Sequence, residues 1–268
     1  MKEPLVSVIM GVYNGQDTLE DAVNSIISQS YQNWEFIICD DCSSDRTWSI
    51  LEKYRKIDSR ITILHNDKNV RLAASLNKCL EISKGKYIAR MDADDISLSQ
   101  RLEKQVSFLE KHPEYDVVGC NRIIFDENGE HGIRTSIEYP DKKMLLKDTP
   151  FAHPTIMMKK SVYDLLNGYS ETRETMRAED LELWFRFYEN GYTGYNLQEV
   201  LYKYREGKKD LKKRNLQAGI QTAKVFWYGY KKLHFPLYQR IWAAKPIIAA
   251  MVPDWIMEKY YESNLTGE

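Results

Sequence analysis

The sequence predicts an α/β protein built on a mostly parallel sheet. Short apolar runs rich in Ile and Val recur through the first 120 residues, and segments with apolar residues at helical spacing separate them. Strands that alternate with helices of this length form βαβ units. Apolar runs this continuous suit strands buried on both faces. With 268 residues, 43% of them hydrophobic and 12% aromatic, the chain can bury a substantial core.

LVSVIM (5–10) opens as a strand, and apolar residues at 19, 22, 23, 26 and 27 mark one helix face. FIIC (36–39) is the next strand, TWSILEKYRKI the next helix and ITIL (61–64) the third strand. A helix over 72–82, a strand at KYIARM (86–91), a helix over 102–109 and a strand at YDVVGC continue the alternation. Between 121 and 175 the pattern shortens, with Gly and Pro punctuation near 129–132, 140 and 150–154. Helix resumes near 178, where apolar residues at 181, 184, 185 and 188 make one face. Beyond 207 the chain reads as helical, with breaks at Pro236, Pro246 and Pro253. The simplest division is a catalytic domain over 1–206 and a helical extension over 207–268.

Charge and composition exclude several classes. The formal net charge is −1, so binding nucleic acid through overall charge is not expected. That balance hides a basic segment: Gly207 to Lys245 holds ten Lys and Arg against one acid, Asp210. No signal peptide is read at the start, and no run reaches the roughly 20 apolar residues of a membrane span. Cys39, Cys42, Cys79 and Cys120 read as free thiols in a reducing cytoplasm. Cys39 and Cys42 lack the second pair that a zinc site would need.

Open sheets of this kind bind ligands beyond the carboxyl ends of their strands. Unusual polar residues follow Met10, Cys39 and Met91. MDADD (91–95) is the strongest feature. Asp92, Asp94 and Asp95 would repel one another in one turn, and a divalent cation relieves such repulsion. Helix capping is the plain alternative. In CDDCSSDRT (39–47) two acids end a buried strand, where a carboxylate can accept from a nucleobase imide or a ribose hydroxyl; Ser44 as an N-cap explains the serines but not the acids. In GVYNG (11–15) Tyr13 can stack on a base, and Asn14 and Gly15 permit a tight turn. Neither GxGxxG nor a P-loop motif is present. Arg71 opens a helix from which it could reach a diphosphate. In RAEDLELWFR (177–186), Glu179 and Asp180 occupy a first helical turn, either complementing the helix dipole or supplying a general base.

Taken together, VSVIMGVYNG, IICDDCSSDRT, NVRLAASLN, YIARMDADD, HPTIMMKKSVYDLLNGYSE and AEDLELWFRFYENGY resemble the family-2 glycosyltransferases over about residues 5–205. The resemblance is closest to enzymes of bacterial capsule and exopolysaccharide assembly. It implies a GT-A fold, a Rossmann-like sheet flanked by helices. Carried over by position, Tyr13, Asn14 and Asp41 line the nucleotide pocket, and Arg71 contacts the donor. Asp92 and Asp94 form the DxD for ribose, metal and diphosphate, with Mn²⁺ or Mg²⁺ as cofactor. Asp180 matches the catalytic base, and His153, Glu179 and Asp95 fall on the acceptor side. Gly11-Val12 stands where many members carry Pro, and YREGKKD where many carry a histidine. One base and no nucleophile implies single displacement with inversion at the anomeric carbon. The donor implied is a UDP-sugar, and the acceptor a lipid-linked glycan at the cytoplasmic face of the membrane.

The stretch KVFWYGYKKLHFPLYQRIW (224–242) puts Phe226, Tyr230 and Leu233 on one face with Lys224, Lys231, Lys232 and Arg240 around it. This reads as a membrane-surface element over 224–245, or as a face packed on the catalytic domain or on a second copy of the chain. Two rival functions make different demands. A nucleotidyltransferase requires a glycine-rich phosphate loop, which is absent. A catalytically silent, partner-binding subunit of an assembly complex predicts loss of an acid at 92, 94 or 180, and all three are present.

Overall fold

The computed structural model describes residues 3–176, 178–207 and 215–253, together with 256, 257, 259, 263 and 265. In chain order the strands are β1 (Val6–Val12), β2 (Trp34–Asp40), β3 (Ile61–His65), β4 (Tyr87–Arg90), β5 (Ile96–Ser97), β6 (Val117–Asp126), β7 (Gly129–Arg134), β8 (Met157–Lys159) and β9 (Gly194–Arg205). The α-helices are α1 (Leu19–Ile27), α2 (Thr47–Ile57), α3 (Leu72–Ile82), α4 (Arg101–Lys111), α5 (Lys160–Leu165), α6 (Glu179–Glu189), α7 (Leu216–Lys232), α8 (Leu237–Arg240) and α9 (Lys245–Met251).

The strands form one sheet in the order β3-β2-β1-β4-β8-β6-β9-β5, with β7 on β6. The β3-β2-β1-β4 half is all parallel, as the βαβ pattern predicts. The other half is mixed: β8 runs antiparallel to β4 and β6, and β9 parallel to β6. Alternation along β1 separates two cores. Val6, Val8, Met10 and Val12 pack with α1, α2 and α4, whereas Ile9 packs with α3, α5, α6 and α7. The molecule is thus a three-layer α/β/α sandwich.

Three details differ from the sequence reading. Ser44 is not an N-cap, because α2 begins at Thr47 with Arg46 at its cap. Pro246 does not break a helix; it lies in the first turn of α9, where its missing N–H is harmless. The Phe226, Tyr230 and Leu233 face is not a free interfacial surface. It packs against the core, with Tyr230 and Phe226 edge-on to Phe185 of α6. The Tyr230 hydroxyl donates to the Leu145 carbonyl, and the Gly229 backbone lies directly on the Phe185 ring. Of the ten basic residues in 207–245, Lys208, Lys209, Lys212, Lys213 and Arg214 lie outside the described residues, as does Arg177.

Candidate active site

The site assembles where the first half of the sheet ends. Parallel pairing brings the carboxyl ends of β1, β2 and β4 side by side, so the turns that follow them meet. After β1, Asn14 stitches two loops together. Its side-chain oxygen accepts from the Ser44 amide at 2.9 Å, and its own amide donates to Ser43 Oγ at 2.9 Å. The Gly15 amide donates to Thr47 Oγ1, and Thr18 Oγ1 donates to the Ala93 carbonyl inside the MDADD turn. Asn14 therefore shapes the pocket with a side chain already engaged, while Tyr13 stands 53% exposed with its ring available for stacking.

After β2, the two acids divide their work. Asp40 is fully buried against His65 Nδ1 at 2.9 Å. Asp41 accepts from Asn66 Nδ2 and the Val70 amide on one oxygen, and from the Arg71 amide on the other, at 2.7–2.8 Å. This holds Arg71 at φ 79° with an exposed side chain at the start of α3. Among the described residues five non-glycine positions have left-handed backbone, and three of them, Asn14, Cys42 and Arg71, ring this pocket. Strained backbone of this kind concentrates where a structure holds a ligand. Cys39 and Cys79 are buried free thiols, and Cys42 is a partly buried one.

After β4, the three acids of MDADD separate. Arg90, buried immediately before them, donates to the Asp92 carboxylate and to the Met91 carbonyl. Asp92 is about a quarter exposed and Asp94 is exposed. Asp95 turns the other way. It is 1% exposed, and its Oδ1 accepts from the Arg205 amide at 2.7 Å. Burial, then Asp92 and Asp94, push its carboxyl well above the usual carboxylate range. An acceptor-side role for Asp95 does not fit this placement; it ties the turn to β9.

The base candidate approaches from α6. Asp180 sits in the first turn, with Oδ1 accepting from the Leu181 amide at 2.7 Å. Burial raises its carboxyl above the ordinary value against the lowering effect of the helical amides and Arg90. The opposition between helix dipole and desolvation thus resolves toward a stronger base. Glu179 shares the turn. His153, 9% exposed, meets Tyr169 Oη through Nε2 at 2.8 Å and packs edge-on to Trp184 of α6. Burial and Arg90 hold its imidazole well below the usual histidine range, so it is neutral. A neutral, buried His153 shapes the wall near Asp180 and carries no positive charge at neutral pH.

Arg90 was not singled out in the sequence, although it stands inside YIARMDADD. Its charge acts on Asp92, Asp180, His153 and Tyr169 together. Arg101 supports it by donating to the Arg90 and Ile156 carbonyls. Among the described residues no three His, Cys, Asp or Glu side chains converge as a metal cage. Asp92 and Asp94 still fit a divalent cation, because Mg²⁺ commonly takes one or two carboxylates and completes its shell with substrate phosphates and water.

The family model described as glycosyl transferase family 2 matches residues 7–166. Glycosyltransferase EpsE of Bacillus subtilis (strain 168) is 47% identical over 266 residues, covering 99% of this chain and 96% of its own. The Escherichia coli UDP-Glc:alpha-D-GlcNAc-diphosphoundecaprenol beta-1,3-glucosyltransferase WfgD is 32% identical over 213 residues, covering 76% and 78%. Among solved structures, Staphylococcus aureus TarS 1–349 in complex with UDP-GlcNAc superposes with a TM-score of 0.70 at 18% identity, over 92% of this chain and 70% of that one. The Pyrobaculum calidifontis mannosyltransferase PcManGT, in complex with GDP-Man and Mn²⁺, gives 0.67 at 17% identity over 98% and 80%. The structural likeness establishes the GT-A-like fold. The chain belongs to glycosyl transferase family 2 and is a glycosyltransferase.

Proposed function

We propose that this family-2 glycosyltransferase moves a hexose or N-acetylhexosamine, with inversion, from a UDP-sugar to a lipid-linked glycan in exopolysaccharide or capsule assembly. The observation that carries this is the meeting of the β1, β2 and β4 turns in one cleft, with Asp180 raised above its ordinary pKa alongside. WfgD, whose name specifies UDP-glucose and a diphosphoundecaprenol-linked acceptor, supports the choice of donor and acceptor, and EpsE supports glycosyl transfer as the reaction. The donor-bound TarS and PcManGT chains support a nucleotide-sugar site on this fold.

In this reading Tyr13 stacks on the base. Asp41 accepts from the imide while holding the Arg71 loop. Arg71 reaches the diphosphate. Asp92 and Asp94 hold Mn²⁺ or Mg²⁺. The cation, when bound, supplies electrostatic stabilisation of the departing diphosphate. Arg90 fixes the Asp92 carboxylate through a hydrogen bond, so Asp92 enters the reaction already oriented. Asp180 takes the proton of the acceptor hydroxyl as that oxygen attacks the anomeric carbon, and its raised pKa suits the task. Glu179 and the His153 wall border the acceptor.

The extension, residues 207–268 in this division, places the enzyme on the cytoplasmic face of the membrane. Among the described residues no helix is long and apolar enough to cross a bilayer. Trp227, Tyr228, Tyr238, Ile241, Trp242 and Met251 are each exposed, in a stretch that also carries Lys224, Lys231, Arg240 and Lys245. In this reading the surface offered to lipid, or to a second copy, is made by these exposed residues; on α7, Trp227 and Tyr228 lie opposite the Phe226 and Tyr230 face that docks on α6. Aromatic and basic residues mixed in this way suit an anionic interface.

UDP release from a panel of UDP-sugars, with and without Mn²⁺, tests the assignment. Asp94→Asn should lower the metal-dependent rate by about 10²–10³. An Asp94→Asn variant with wild-type turnover would remove the metal role from this turn.

A further inference from the structure

The β6-β7 hairpin carries an arrangement that the donor site does not use. Arg122 and Arg134 are direct cross-strand partners in an antiparallel pair. Like charges so placed repel and destabilise the sheet. Arg134 is neutralised by Glu206, which it grips with both terminal nitrogens. Arg122 has no such partner. Its guanidinium donates to Ser136 Oγ at 3.4 Å and lies 5.9 Å from the Tyr204 ring, and among the described residues it enters no ion pair. Asp148 and Glu206 act on it only at a distance, while burial and Arg134 depress it below the usual arginine range. A half-buried cation facing another cation is a costly arrangement for the free enzyme, and an anion would satisfy it.

Its position says which anion. Arg122 is the register partner of Tyr202, whose hydroxyl receives the Asp92 amide at 3.4 Å. Tyr204, two residues on, feels the charges of Asp92, Asp94 and Asp95. Arg122 therefore stands one tyrosine side chain away from the reacting end of the site. The nucleotide pocket occupies β3-β2-β1-β4, whereas Arg122 lies on β6, beyond β8. It is on the far side of Asp92 from the base and ribose, and Arg71 serves the donor diphosphate on the near side. From this placement we infer that Arg122 is an acceptor-recognition residue that binds the diphosphate of a lipid-linked acceptor. The inference rests on the lipid-linked acceptor of the proposed function and assigns the residue that reads its phosphate.

Calorimetric titration of geranyl diphosphate into the full chain, saturated with UDP and Mn²⁺, is the test, with geraniol as the neutral control. The wild type should prefer the diphosphate. Arg122→Gln should weaken it by about tenfold or more, with UDP affinity unchanged and Arg122→Lys intermediate. The melting temperature of the free Arg122→Gln variant should equal or exceed that of wild type, because the substitution removes the repulsion with Arg134. Equal diphosphate affinity in wild type and Arg122→Gln, or no preference over geraniol, would overturn the assignment. A parallel fall in UDP affinity would also overturn it by placing Arg122 on the donor diphosphate. Turnover separates this inference from the reading beneath it. A wild type that binds geranyl diphosphate through Arg122, yet glycosylates no sugar-diphospholipid, keeps the anion site and loses the acceptor. Unchanged KM for such an acceptor in Arg122→Gln keeps the acceptor and removes the site.

Discussion

Asp41→Ala separates a residue that only touches ligand from one that also builds the pocket. The carboxylate of Asp41, 3% exposed, accepts from Asn66 Nδ2, the Val70 amide and the Arg71 amide. A hydrogen bond to a charged acceptor contributes about 1.5–3 kcal/mol, and a buried donor left unpaired costs a similar amount. The Val70 and Arg71 amides lie near the surface, where water replaces part of the loss. The sum expected is therefore about 3 kcal/mol, well short of three full bonds. In a chain of this size that corresponds to a fall of roughly 6–12 °C in melting temperature, at about 2–4 °C per kcal/mol. Asp41→Asn keeps one accepting oxygen and turns an N–H₂ toward a former donor, so it should fall by about half as much. Calorimetry of the nucleotide-free protein measures both. A drop below about 2 °C for Asp41→Ala, accompanied by lost UDP binding, would refute the structural half of the argument and leave Asp41 as a ligand contact alone.

Three further outcomes follow from the geometry. Asp180→Asn should lower kcat by about 10²–10⁴ while UDP binding persists. It should also raise the melting temperature at pH 7, because a carboxyl whose pKa is raised by folding favours the folded state only when protonated, below that pKa, and ionisation at higher pH weakens the fold. For the same reason, the acid limb of the wild-type rate profile should lie above the ordinary aspartate range. Gly229→Val would drive a side chain into the Phe185 ring, 2.3 Å from where a Cβ would stand, and should cost about 1–3 kcal/mol by undocking α7 from α6; an unchanged melting curve would mean the extension is not packed as described. Flotation with vesicles containing anionic lipid should carry the wild type upward, and glutamate at Trp227, Tyr238 and Trp242 should abolish it, whereas flotation indifferent to both lipid charge and these substitutions would remove the membrane contact.

The first half of the fold was legible because parallel strands buried on both faces leave unbroken apolar runs, as in VSVIMGV and WEFIICD. The second half was not. β5 and β8 are two and three residues long, too short for any period to register. β9 is long, but bulges beside Cys120 and Asn121 disturb its alternation through Gln198 and Glu199. The site shows the same division. Strand-end position singled out Asp41, Asp92 and Asp94, whereas Asp180 was singled out by its place in the first turn of a late helix. Nothing in the spacing of MDADD foretold that Asp95 turns to the Arg205 amide, or that Asn14 spends its side chain on Ser44. Those outcomes depend on strands distant in sequence. The charge of Arg90 was visible in the motif, but its burial among Asp92, His153 and Tyr169 was not. Helical spacing correctly grouped Phe226, Tyr230 and Leu233; only packing could show that they meet Phe185 and leave the opposite aromatic face exposed.

The central claim is single displacement with Asp180 as the one base. Proton NMR of the product formed from an α-linked UDP-sugar and an α-GlcNAc-diphospholipid, with Mn²⁺ present, tests it most directly. Wild type should release UDP and give a product with the large anomeric coupling of a β-glucosidic or β-galactosidic bond, and Asp180→Asn should give almost none. An α-linked product, or full turnover by Asp180→Asn, would contradict the account.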